Sequence, residues 1–234
     1  MRKPIMLFVV ILLCHSSALF GQAERFYLDQ LFNLSWYDWA FNLEGADINR
    51  DGHIDMVLGN ANETRVFYGG PGILDTAADV KYKGRCLAVC DYNGDVQKDL
   101  ITMEFVSMDS TTGYWTVNLL FYYGSDTTQI AIDTVVDYTI PFPKLTDYDY
   151  SLISTDGKYG NLNGDGKYDL VINSPNYRNP DNGLNTGQMY IYMGAEVPPD
   201  TPSYHLGSRL YIPGEQYYTG FGSYFGVGDI NGDG

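Results

Sequence analysis

Basic side chains, cysteine and histidine are all scarce in this chain of 234 residues. Only 14 lysines and arginines stand against 29 aspartates and glutamates, for a formal net charge of −15. A surface so short of positive charge has little with which to neutralise phosphates, which excludes nucleic acid as a partner. Cys14, Cys86 and Cys90 are the full complement of cysteine, too few for a disulfide-built scaffold. In an extended "RCLAVC", Cys86 and Cys90 would face the same side about 13 Å apart by strand rise, out of disulfide reach. They read as two small core residues, with a redox or metal-binding CxxxC pair as the weaker alternative. Histidine amounts to His15, His53 and His205, and no G-x-S-x-G, H-E-x-x-H or phosphate-loop pattern occurs. Catalysis would have to rest on carboxylates alone, which stays open, and a role other than an enzyme's is the favoured reading.

The chain also lacks a long apolar run. Its first residues combine a basic start at Arg2 and Lys3, an apolar stretch from Ile5 to Leu13, and small residues near Gly21 and Ala23. This pattern predicts a secretory signal peptide over residues 1–23. A membrane anchor is the alternative, but so short a stretch does not reach across a hydrocarbon core of about 30 Å. Lipidation of Cys14 is a lesser option, since bulky Leu13 precedes it. Cleavage would leave residues 24–234 as one domain with 12 basic and 29 acidic residues, a balance of −17. Such a chain would be secreted or held at the cell surface, with no transmembrane segment of its own.

What the chain has in abundance is oxygen, concentrated in four short turns. "GNLNGDGKYDLVINSP" begins at Gly160, "ADINRDGHIDMVLGN" at Ala46, "CDYNGDVQKDLITME" at Cys90 and "GDINGDG" at Gly228. Ten of the 29 acids lie inside these turns, so much of the acidity is local. Turn starts at 47, 91, 161 and 229 give spacings of 44, 70 and 68 residues, the scale of an array of repeated units. Each completed turn leads into a β-rich run ("DMVLGN", "DLITMEFV", "DLVINSP") and then a second one closed by glycine ("TRVFYGG", "YWTVNLLFYYGS", "QMYIYMGA"). Turn residues mark the joints at 69–72, 109–113 and 176–187. No segment after the leader keeps a helical period. The pattern predicts an all-β chain built as a row of small antiparallel sheets.

Within a turn, oxygen donors recur at every second position, the arrangement that wraps a hard cation. Calcium takes six to eight oxygens, which carboxylates, amides and a backbone carbonyl can supply together. The candidate ligands are Asp47, Asn49, Asp51, His53 and Asp55 in turn one, and Asp91, Asn93, Asp95, Gln97 and Asp99 in turn two. Turn three offers Asn161, Asn163, Asp165, Lys167 and Asp169, and turn four Asp229, Asn231 and Asp233. The seventh residue of each turn (His53, Gln97, Lys167) would serve through its carbonyl. An EF-hand is excluded, because Leu58, Thr102 and Ile172 stand where its twelfth-position glutamate belongs. A solvated turn that binds nothing is the competing reading, weakened by the repetition. Turn three carries one carboxylate fewer than turns one and two, so its affinity should be lower. Val96 occupies a position that is glycine in turns one and three, with Gly94 placed to absorb the backbone demand.

These residues resemble the FG-GAP and VCBS repeats of integrin-α-type β-propellers. The likeness rests on "FGVGDINGDG" at 225–234, on "DLVINSP", and on the G-x-M-Y-I-Y-M-G run from Gly187, and it covers residues 37 to 234. It implies a calcium-loop β-propeller of about three blades plus the start of a fourth, each loop joining the innermost strand to the next, with the chain a truncated part of a larger ring. It implies a binding or adhesion module whose calcium is structural and whose partner is an extracellular protein or glycan. The alternative is the propeller of a glycan-active protein, a lectin or polysaccharide lyase, for which the 21 tyrosines could offer stacking faces. The aromatic cluster Trp36, Tyr37 and Trp39, and the separate Trp115, read better as packing residues. Asn33-Leu-Ser35 and Asn62-Glu-Thr64 fit the glycosylation pattern, though so short a pattern arises readily by chance.

Overall fold

A computed structural model describes residues 42–71, 77–111, 113–125, 132–146, 157–175, 177, 186–207 and 221–228. The expected signal peptide over residues 1–23, the Trp36–Trp39 cluster and turn four, with Asp229, Asn231 and Asp233, lie outside the described residues. Within them the chain is all-β, with no helix, and its strands form three four-stranded antiparallel sheets.

Each sheet is a meander in chain order. Sheet one joins β1 (Asn42–Ala46), β2 (Asp55–Gly59), β3 (Glu63–Phe67) and β4 (Val80–Lys83). Sheet two joins β5 (Arg85–Cys90), β6 (Asp99–Asp109), β7 (Tyr114–Tyr122) and β8 (Tyr138–Thr146). Sheet three joins β9 (Gly157–Gly160), β10 (Asp169–Ser174), β11 (Gln188–Tyr192) and β12 (Tyr204–Gly207). Each completed acidic turn connects the first strand of a sheet to the second, and its ninth residue opens that second strand: Asp55, Asp99 and Asp169 are the first residues of β2, β6 and β10. The 44-residue first repeat therefore yields a full four-stranded sheet, with β2 and β3 of five residues each where β6 and β7 have 11 and 9.

Burial follows the two-residue period of a strand. Between sheets one and two, Val57 and Val66 pack against Leu100, Leu120 and Tyr122. Ile101, Leu119 and Phe121, on the opposite face of sheet two, pack against Leu170, Ile172 and Tyr192 of sheet three. Sheet two is thus covered on both faces, which is why β5 and the start of β6 read as near-continuous apolar runs.

The first strands meet one another, with β5 lying beside both β1 and β9. Two glycines, Gly59 of β2 and Gly157 of β9, let their strands come close to β5. A Cβ on Gly59 would come 2.9 Å from the Cys86 nitrogen, and one on Gly157 would come 2.6 Å from the Leu87 carbonyl oxygen. Asn42 Nδ2 also donates to the Cys86 carbonyl at 3.2 Å.

The cysteines correct one expectation. Both are buried and unpaired, yet they do not share a face: Cys86 packs between sheets one and two, Cys90 between sheets two and three. The pairing register shifts between Cys86 and Ala88, so Leu87 is an extra residue and the alternation reverses across it. Trp115 meets Phe105 edge-on at 5.9 Å, as a packing residue would.

Candidate metal centre

The three described turns share the hydrogen bonds of their third, fifth and ninth residues. Their ninth residue is the most firmly held. Asp55, Asp99 and Asp169 are fully buried, and each places Oδ2 against the N–H of the second residue of its own turn: Ile48 at 2.7 Å, Tyr92 at 2.8 Å and Leu162 at 2.7 Å. Oδ1 reaches a glycine just beyond the third strand, accepting from Gly69 at 2.8 Å, Gly124 at 2.9 Å and Gly194 at 2.8 Å. One carboxylate therefore ties the turn, the second strand and the exit of the third. Burial pushes the Asp99 carboxyl up to about 7, against the lowering effect of the N–H groups of Gly124, Tyr92 and Asn93, and moves Asp55 in the same direction.

The fifth residue organises the outer part of the turn. Asp51, Asp95 and Asp165 each accept the N–H of the seventh residue, His53 at 2.8 Å, Gln97 at 2.8 Å and Lys167 at 2.9 Å. Their own N–H groups donate to the Oδ1 of Asn49, Asn93 and Asn163 at 3.1, 2.9 and 3.0 Å. The amides of those asparagines return a bond to Oδ2 of the fifth residue at 3.0, 3.1 and 2.8 Å. The seventh residue's N–H holds the carboxyls of Asp51 and Asp165 below the ordinary range, so these exposed groups stay ionised.

The first residue shows what the turns do not share. Asp47 uses both oxygens, one for Asp51 N–H and one for Gly52 N–H, each at 3.1 Å. Asp91 likewise takes Gly94 N–H at 2.8 Å and Val96 N–H at 2.9 Å. Asn161 has a single oxygen, which accepts Asp165 N–H at 3.1 Å. Among the described residues, nothing accepts the N–H groups of Gly164 and Gly166.

The fourth and sixth residues adopt positive φ in each described turn, whatever the side chain. The pairs are Arg50 (60°) and Gly52 (86°), Gly94 (84°) and Val96 (74°), Gly164 (74°) and Gly166 (90°). Gly94 therefore does not relieve Val96. Both take the left-handed conformation, and Val96 does so with a β-branched side chain.

As donors, the first, third and fifth side chains and the seventh carbonyl are all oxygen, the chemistry a hard cation prefers. The ninth carboxylate's oxygens accept backbone N–H groups, but each carboxylate oxygen has capacity beyond one bond. Among the described residues, no three His, Cys, Asp or Glu side chains converge as a ready-made metal cluster. The donor set fits calcium in kind, while its arrangement is that of a turn closed upon its own backbone.

Turns two and three also touch. Tyr168 N–H donates to the Asp91 carbonyl at 3.0 Å, and the Tyr92 hydroxyl donates to the Met193 carbonyl at 2.7 Å.

Sequence reasoning noticed the glycine closing each second β-run but not its task. A Cβ on Gly69 or Gly124 would come 2.3 Å from the carbonyl oxygen of Ile54 or Lys98, the eighth residue of the turn. It missed Asp79 and Asp137 altogether. Each accepts the N–H of the residue before that glycine, Tyr68 or Tyr123, at 2.7 Å, and a two-fold repetition of aspartate ahead of a fourth strand was the signal available. Comparison with protein-family models and with curated proteins finds no match to this chain.

Proposed function

We propose that the chain is part of a secreted or cell-surface β-propeller of the FG-GAP/VCBS kind, a binding or adhesion module in which calcium plays a structural part. The observation that carries this reading is the threefold repetition of one nine-residue turn. In each described copy the third, fifth and ninth residues make the same hydrogen bonds, the fourth and sixth take positive φ, and the turn joins the first to the second strand of a four-stranded meander. Support for a radial array comes from the neighbouring first strands β1, β5 and β9. It comes also from Ile48 and Tyr92, which as second residues of their turns are buried in the packing between sheets, while their counterpart Leu162 is 47 % exposed. Val227 lies against β9, where the first strand of a next sheet would stand, for a Cβ on Gly160 would come 2.5 Å from its Cγ1.

Calcium would be held by the side chains of Asp47, Asn49 and Asp51 with the His53 carbonyl and Asp55, and by the matching residues of turns two and three. Its charge would offset the crowding of carboxylates in the turn. The glycan-active alternative draws less support, because Tyr82, Tyr92, Tyr122, Tyr190 and Tyr192 are all buried as packing residues.

Calorimetric titration of the purified chain with calcium tests the reading. Turns one and two should bind more tightly than turn three, magnesium should compete poorly, and Asp51→Ala, Asp95→Ala and Asp165→Ala should each remove one site. No uptake at millimolar calcium sinks the calcium assignment.

A further inference from the structure

The third residue of each described turn is an asparagine, but its neighbour differs: Asn49 precedes Arg50, while Asn93 and Asn163 precede Gly94 and Gly164. Before glycine, the following backbone nitrogen meets no Cβ obstruction on its way to the asparagine side-chain carbonyl carbon. Turns two and three even share the tripeptide Asn-Gly-Asp. Their side chains are held alike, each asparagine exchanging two hydrogen bonds with the aspartate two residues on.

The nitrogens are not held alike. Gly94 N–H donates to Asp91 Oδ1 at 2.8 Å, and the aliphatic chain of Lys167 lies so close that a Cβ on Gly94 would meet its Cγ at 2.8 Å. Gly164 N–H has no acceptor among the described residues; the oxygen of Asn161 accepts Asp165 N–H instead. Among the described residues nothing lies within 4 Å of a Cβ built on Gly164, and Asn163 is exposed.

We propose that Asn163 is a site of spontaneous deamidation in the folded protein, reacting ahead of Asn93 and Asn49. The Gly164 nitrogen gives up its proton to a solvent base and attacks Asn163 Cγ. The Cγ–Nδ2 bond breaks, and ammonia leaves carrying a proton from water. The resulting five-membered imide then adds water at one of its two carbonyls, giving aspartate or, by the other opening, isoaspartate. No oxidant or reductant is required. The aspartate product brings turn three to the carboxylate number of turns one and two, whereas the isoaspartate product inserts an extra backbone atom into the turn.

The test is a time course on the whole folded chain in mildly alkaline buffer. Peptide mapping by mass spectrometry, with a separation that resolves aspartate from isoaspartate, gives the rate at each asparagine, and a urea-unfolded sample serves as reference. In the unfolded chain Asn93 and Asn163 should react at similar rates. In the folded chain Asn163 should convert several-fold faster than Asn93, with Asn49 slowest. Asp91→Asn gives turn two the first residue of turn three and should raise the rate at Asn93. Equal folded rates at Asn93 and Asn163, or an Asn93 rate unmoved by Asp91→Asn in a folded variant, would overturn the proposal. The unsubstituted chain decides alone if that variant does not fold.

Discussion

Asp99 and Gly124 are joined across sheet two, the carboxylate at the first residue of β6 accepting the N–H of a residue 25 positions further along the chain, at 2.9 Å. The same carboxylate accepts from Tyr92 at 2.8 Å and Asn93 at 3.2 Å. Asp99→Ala strands the buried donors of Gly124 and Tyr92, each at a cost of roughly 1–3 kcal/mol, so the variant should lose about 3 kcal/mol of stability. Chemical denaturation measures this, and a loss well below about 1 kcal/mol would show the clasp to be dispensable.

Gly124→Ala attacks the same junction from the other side. Its new Cβ would stand 2.3 Å from the Lys98 carbonyl oxygen, a backbone atom that cannot rotate away. Substitution should cost about 2–4 kcal/mol, or the yield of folded protein, whereas alanine at the open Gly70 should cost far less. Thermal unfolding of the two variants side by side gives the answer. Equal melting temperatures contradict the close approach.

Val96 is 83 % exposed and sits at a φ of 74°. Its side chain packs little and strains its backbone, so Val96→Gly should stabilise the protein by about 1 kcal/mol despite glycine's greater freedom when unfolded. A urea midpoint that falls in the variant would mean the surroundings favour the valine.

Cys90 is fully buried, and burial raises its thiol well above the ordinary range. Neither thiolate nor access is available in the folded chain, so a thiol reagent at mildly alkaline pH should leave Cys90 unmodified until denaturant opens the core. Rapid labelling of the native protein would place Cys90 elsewhere.

The acidic turns and the strands that follow them were legible because their chemistry is local. Oxygen crowded at alternate positions cannot form a core, and β-branched runs closed by glycine have few other uses. The backbone at Val96 was misread because side-chain preference was weighed against a geometry that the whole turn imposes. Seven hydrogen bonds hold the turn around it, and one valine does not outweigh them. The facing of Cys86 and Cys90 was misread because a single extra residue, Leu87, inverts a two-residue period without any mark in composition. Contacts such as Tyr168 to Asp91, 77 positions apart, depend on how sheets stack, which no local pattern specifies.

The buried ninth aspartate also ties each sheet to a single register in the native fold. A strand that slides by one residue against its neighbour turns every side chain to the opposite face. In β2, β6 and β10 that slip would carry the carboxylate away from both the turn and the glycine it must reach. Each sheet therefore carries its own internal ruler, anchored at one end of the second strand. Strands of unequal length, such as β2 and β6, can grow at the far end without disturbing the pairing that the anchor has set.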